Sequence, residues 1–227
     1  MDSFLSLLQF NDGLFPAGAY AHSLGLEYLV QSGEISDGEG VEDFLRIYLE
    51  SSAAPTDAVA MLFASRAASA DDLGNCLALD ETLDAMKAAS ELREASRQMG
   101  RQTLRVANHL HSAPLLADFL EAVKNESTPG HHPLIFGMIG GLMAWPPKEM
   151  AAAYLYSISA ALAGAALRLM PLGQLAGQRI LWNAQPLIVQ LAEEIQKQSE
   201  VDMWSFVPIL EIASMRHAML DARLFRS

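Results

Sequence analysis

Residues 134–145 and 151–170 are apolar almost all the way round a helix, and a helix without a polar face must be surrounded by other elements. That requirement predicts a layered helical domain with these two segments at its centre. Ala160, Ala163, Gly164 and Ala165 would let neighbouring backbones approach the second of them closely. The flanking sequence keeps the same 3.6-residue period. Val41, Phe44, Leu45, Tyr48 and Leu49 form one apolar stripe, and Leu92, Ala95, Met99, Val106 and Leu110 form another. The alanine-rich stretch around Ala58, Leu62 and Ala68 supplies a third helix. Prolines 55, 114, 133, 147 and 171 stand where first-turn prolines mark helix starts. No run of alternating β-branched residues is bounded by Asn-Gly or Asp-Gly. The expectation is an all-α fold, a single-domain helical bundle of about ten helices spanning residues 1–227.

Composition narrows the function. A formal charge of -12 lacks the basic footprint that nucleic acid requires. The single cysteine, Cys76, excludes an internal disulfide framework and fits a reducing compartment. The first ten residues, MDSFLSLLQF, carry an aspartate where a secretory signal needs basic residues. Residues 134–145 are too few to cross a bilayer, and residues 151–167 are alanine, serine and glycine rich and end at Arg168. The chain therefore reads as cytoplasmic, with no membrane association.

Residues 15–27, FPAGAYAHSLGLE, invite a catalytic reading. Gly13 to Gly18 is half of a phosphate loop, but Ala19-Tyr20 replaces the Lys-Ser/Thr that would reach the terminal phosphates. Adjacent helical residues point about 100° apart, so His22 would not naturally meet Ser23, and the nucleophile-elbow pattern fails. Ser23 is better spent on a backbone carbonyl, with His22 as a polar boundary residue. What remains is a turn at Asp12-Gly13 and Pro16-x-Gly18, then a helix from near Ala19 that tolerates Gly25 because another backbone comes close. Tyr20, His22 and Glu27 then become polar handles on a partner surface.

Arg93, Arg97, Arg101 and Arg105 recur every four residues on one helix side. Such a ladder is either internally paired or a cationic stripe for a partner's carboxylates or phosphate. Of the six histidines, only His131 and His132 are adjacent; they are weak candidates for a metal, since no pair has helical ligand spacing. Residues 214–227 end in Arg223-Leu224-Phe225-Arg226, anchors between cations that suit docking.

Together these residues resemble the urease accessory protein UreF family over nearly the whole chain. The first block is Asp12, Phe15, Pro16, Gly18, Tyr20, Ser23, Gly25, Leu26 and Glu27; the second is Arg97-Gln98-Met99-Gly100-Arg101. Gly130-His131 with Phe136-Gly137 forms the third. Tyr156-Ser157, Arg168-Leu169, Pro171-Leu172-Gly173-Gln174 and Gly177-Gln178 form the fourth, and Arg216-His217 with residues 223–227 the fifth. Gly13 departs from the serine or alanine usual in the first block. The resemblance implies a non-enzymatic homodimer that joins a UreD/UreH-type protein and the GTPase UreG on apo-urease, for GTP-dependent insertion of nickel. It implies no tightly bound cofactor. It also implies partner-binding roles for the first block, the tail, Gly173, Gln174, Gln178, Arg216 and His217, with Arg97 and Arg101 as candidates for acting on the GTPase. The alternative is a nickel-binding carrier using His131 and His132.

Overall fold

The computed structural model describes residues 2–227. In chain order the helices are α1 (Ser3–Asn11), α2 (Leu26–Gln31), α3 (Gly38–Tyr48), α4 (Val59–Ser69), α5 (Leu73–Met86) and α6 (Ser90–Leu110). Then follow α7 (Pro114–Lys124), α8 (His132–Leu142), α9 (Pro147–Leu169), α10 (Gln174–Glu194) and α11 (Pro208–His217). Among the described residues there is no strand. Start signals are local: Asp2, Asp37 and Asp72 accept from the main chain of Leu5, Gly40 and Asn75, caps worth about 1 kcal/mol each. Prolines occupy the first turns of α7, α8, α9 and α11.

The centre of the domain is the crossing of α4 and α8. Gly137 and Gly141, one turn apart, face the carbonyls of Met61 and Ser65, themselves one turn apart, so the two helices meet backbone to backbone. Almost every residue of α8 is buried, as its uniform apolarity requires. Helix α9 differs. It packs on α10 through one face, while Tyr156 is exposed and nothing lies within 4 Å of the space beside Gly164. It is the one helix among the described residues long and apolar enough to cross a membrane, and half of its most apolar window is buried inside the fold.

Pro171 lies three residues before α10 and not in its first turn, contrary to expectation. Two further local expectations are corrected. Pro55 does not open a helix; it lies inside a wide, π-type stretch, Leu49–Ala58, that runs from α3 into α4. Pro55 has no N–H to donate inside this stretch, and the Ser51 oxygen accepts from outside it. The Phe206 N–H donates to that oxygen at 3.1 Å, and the Trp204 N–H donates to the Pro55 oxygen at 3.3 Å. Thr56 Oγ1 donates in turn to the Trp204 carbonyl. The widened helix thus receives the segment before α11 as a neighbour. The second correction concerns Ala19, where only a single 3-10 turn, Ala19–Ala21, forms; α2 begins at Leu26. Gly25 therefore lies before the helix and not within it, with φ of 87°. The expected close approach is present: a Cβ on Gly25 would stand 3.3 Å from Ala213 Cβ and 3.3 Å from Ser214 N in α11.

Candidate functional site

The first block and the tail fold into one structure. Leu24 and Gly25 both have positive φ, 55° and 87°, and just before this turn the successive N–H groups of Ser23 and Leu24 share one acceptor. That acceptor is the Ser227 main-chain oxygen, bonded by Ser23 N at 2.6 Å, Leu24 N at 3.2 Å and Ser23 Oγ at 2.8 Å. Ser227 Oγ pairs with His22 Nδ1 at 2.8 Å, and Arg226 N donates to the Ala21 carbonyl at 2.8 Å. Ser23 does bond a backbone carbonyl, though 204 residues away.

Glu27 is the second anchor. Its carboxylate accepts from Leu224 N at 2.6 Å, Phe225 N at 3.0 Å and His217 Nε2 at 2.8 Å, and it is 1% exposed. Burial opposes its ionisation, but the Leu224 N–H, His217 and the Phe225 N–H outweigh that and hold the carboxyl below the usual range. His217 reaches Glu91 with its other nitrogen at 2.7 Å, and Arg223 donates to Glu91 at 3.0 Å. Arg168, in the last turn of α9, lies over the Tyr20 ring at 3.7 Å and the Phe225 ring at 4.1 Å, and donates to the Tyr20 carbonyl at 2.8 Å.

The tail is consequently two-sided. Phe225 and Ser227 point inward and are buried, while Arg223, Leu224 and Arg226 face out. Of the three expected handles in the first block, only Tyr20 is on the surface; His22 and Glu27 are inside the lock. Both have partners about two hundred residues away, which no local pattern reveals. Phe15 stacks on Phe10 at 4.7 Å, and Pro16 and Gly18 are exposed on the turn. Arg216 is exposed and donates to the Tyr28 hydroxyl at 3.3 Å. Gly173, Gln174 and Gln178 lie exposed at the start of α10, five to ten residues beyond Arg168.

A second buried polar cluster holds the arginine ladder. Arg97 grips Asp84 with Nε at 2.9 Å and a terminal nitrogen at 2.6 Å, and pairs with Glu94. Arg101 donates to the Pro129 carbonyl at 3.0 Å and Arg93 to the Lys87 carbonyl at 3.1 Å, leaving Arg105 exposed. Most of the ladder is internally committed. His131 bonds Asp84 at 2.8 Å and Ser96 at 3.0 Å, so neither nitrogen has a lone pair directed toward an ion. Burial also opposes ionisation of Asp84, but His131 and Arg97 outweigh it and hold its carboxyl low. Asp80, fully buried, accepts from Thr128 Oγ1, Gly130 N and His131 N, pinning the loop that enters α8. His132 stands apart from His131, its ring stacked on Tyr154 at 5.9 Å. Among the described residues no three His, Cys, Asp or Glu side chains gather as a metal site.

Burial pushes His22 down to about 4, helped by the Arg226 charge. Burial does the same to His132, with Lys87 adding to it against the opposing pull of Asp57. The unfolded chain protonates these rings near 6.5, so between roughly pH 6.5 and 4 it binds protons that the fold does not. Stability is therefore complete above that window and falls as the pH drops through it, by up to about 1.4 kcal/mol per unit for each ring. Thermal unfolding followed from pH 7.5 to 4.5 should show this fall, with a shallower slope for His132→Phe. A flat profile above pH 5 would contradict it.

Fold and site define a class: an all-helical protein whose buried polar clusters bind its own distant segments and so fix a polar, aromatic-rimmed outer face. Residues 35–185 match the UreF family. Proteins described as urease accessory protein UreF are similar over the whole length: one from Bacillus sp. (strain TB-90) is 31% identical over 227 residues, 100% of both chains. One from Lachnoclostridium phytofermentans is 32% identical over 228 residues, again 100% of both. One from Arthrobacter sp. (strain FB24) is 33% identical over 223 residues, 98% of this chain and 96% of the relative. The chain belongs to the UreF family of urease accessory proteins.

Proposed function

We propose that this chain is a non-catalytic adaptor of urease maturation, bridging a UreD/UreH-type protein and the GTPase UreG on apo-urease so that GTP turnover drives nickel insertion. Nickel is the cargo of that assembly, with no cofactor held tightly by this chain. The observation that carries the reading is the two-sided tail. The fold spends Phe225, Ser227, Glu27 and His217 on fixing residues 220–227 in place, and leaves Tyr20, Arg223, Leu224 and Arg226 facing outward. Arginine and aromatic residues on a pre-ordered surface are the composition of interface hot spots, and pre-ordering reduces the entropy lost on binding. The exposed start of α10, with Gly173, Gln174 and Gln178, adjoins the same end of α9.

A homodimer is supported by the open face of α9 beside Gly164 and Tyr156, next to the exposed Trp182 and Leu175 of α10. Regulation of the GTPase draws on the ladder at Arg101 and Arg105, because Arg97 is held by Asp84 and Glu94. A chain of net charge -12 acting on cytosolic partners fits a cytoplasmic location.

The double substitution Leu224→Ala/Arg226→Ala removes two outward side chains and none of the buried bonds. It should leave the melting temperature within about 1–2 °C of wild type, as surface substitutions do. Co-purification with the UreD-type protein should fall at least tenfold. Unchanged co-purification would overturn the tail as the docking face.

A further inference from the structure

Between the widened stretch Leu49–Ala58, α6, α9 and the start of α11 lies a cavity of about 90 Å³, the liquid volume of about three waters. Its lining includes the polar side chains of Tyr48, Asp57, Lys87, His132 and Tyr154. Lys87 donates to Asp57 at 2.6 Å, and Tyr154 donates to the other Asp57 oxygen at 3.3 Å. An ammonium has three protons, so two on Lys87 are not used by this pair. Fully enclosed side-chain polar atoms without a partner occur at Asn11, Thr103 and Ser214. Neither the Tyr48 hydroxyl nor the His132 ring is among them, and neither is bonded to another described side chain, so their polar atoms open onto the cavity.

One pair of charges in this space cancels. Asp57 offsets Lys87, both side chains being largely buried. His132 is neutral at pH 7, since burial pushes it down to about 4. Burial raises both tyrosine hydroxyls well above their usual range and keeps them protonated. Glu211, also on the lining, disfavours an anion. The remaining walls include Leu92, Met99, Ile158 and Leu210. An anion would lose its hydration beside Glu211, and a cation would lose its own beside the Lys87 ammonium, whereas an uncharged occupant would satisfy the open donors and acceptors. The cavity also borders a π-type stretch, a distortion found often at functional sites.

We propose that this cavity binds a small uncharged molecule bearing an amide or hydroxyl group on a short apolar body. Its oxygen accepts from Lys87 and the Tyr48 hydroxyl, its N–H or O–H donates to His132, and its apolar part lies against Leu92, Met99 and Ile158. His22 and Leu24, which hold Ser227 in the tail lock, also line this cavity, but the claim does not depend on the adaptor role.

Isobutyramide, isobutyrate and isobutylammonium share a shape and differ in charge, so they test the claim. In NMR titrations of the isotope-labelled protein at pH 7, isobutyramide should give saturable shifts around Tyr48, Lys87 and His132, and each charged analogue should bind at least tenfold more weakly. Tyr48→Phe removes one hydroxyl at nearly constant volume and should weaken isobutyramide roughly fivefold. No saturation at tens of millimolar, equal binding of isobutyrate, or shifts unaffected by Tyr48→Phe would each overturn the proposal.

Discussion

Glu27→Ala is expected to cost about 3–5 kcal/mol of stability, because it strips His217 and two tail amides of their shared acceptor inside the fold. For a chain of this size the melting temperature should fall by roughly 6–20 °C. Hydrogen exchange supplies the specific readout. The Leu224 and Phe225 amides, bonded to Glu27 in the native chain, should lose protection far more than amides in α8. Glu27→Gln should fall between, since it keeps an acceptor oxygen but not the charge facing His217. A Glu27→Ala protein that melts with wild type, with the tail amides still protected, would show that the carboxylate does not hold the tail.

The second large effect lies at the centre of the fold. A methyl group on Gly137 would overlap the Met61 carbonyl, and one on Gly141 the Ser65 carbonyl. Backbone atoms cannot rotate away as a side chain tip can, so α8 must move off α4 as a body. Gly137→Ala is expected to cost about 3 kcal/mol or more, and the Gly137/Gly141 double substitution to prevent accumulation of folded protein. Gly164→Ala provides the contrast. It is helical with nothing within 4 Å, so the same change should stabilise by about 0.5–1 kcal/mol through helix propensity. Denaturant unfolding of the Gly137→Ala and Gly164→Ala proteins measures these differences. Equal effects at Gly137 and Gly164 would contradict the backbone contact.

These two sites divide what was legible in the sequence from what was not. Helix α8 was readable because uniform apolarity is a local property, and α3 and α6 were readable because their stripes repeat every 3.6 residues. The lock was not. Glu27 and His22 read as surface handles since the partners that bury them lie at residues 217–227. Glu91 and Arg168 drew no attention as site residues for the same reason: one supports His217 from 126 positions away, and the other stacks on Phe225. Arg97 belonged to a visible ladder, but only the fold brings Asp84 to it. At Pro55 the expected helix start is absent, and the segment whose N–H groups donate to the Ser51 and Pro55 carbonyls is a tertiary fact. Gly25 was read as a glycine chosen for close approach, which is right, and as a helical residue, which its positive φ rules out.

The outward half of the tail carries the functional account, and urease activation measures it most directly. Apo-urease supplied with nickel, GTP, bicarbonate, the UreD-type protein and UreG should gain activity when this chain is added and stay near background without it. The Leu224→Ala/Arg226→Ala protein, folded as wild type, should leave activity near that background. Full activation by the double variant, or activation that does not need the chain at all, would contradict the account.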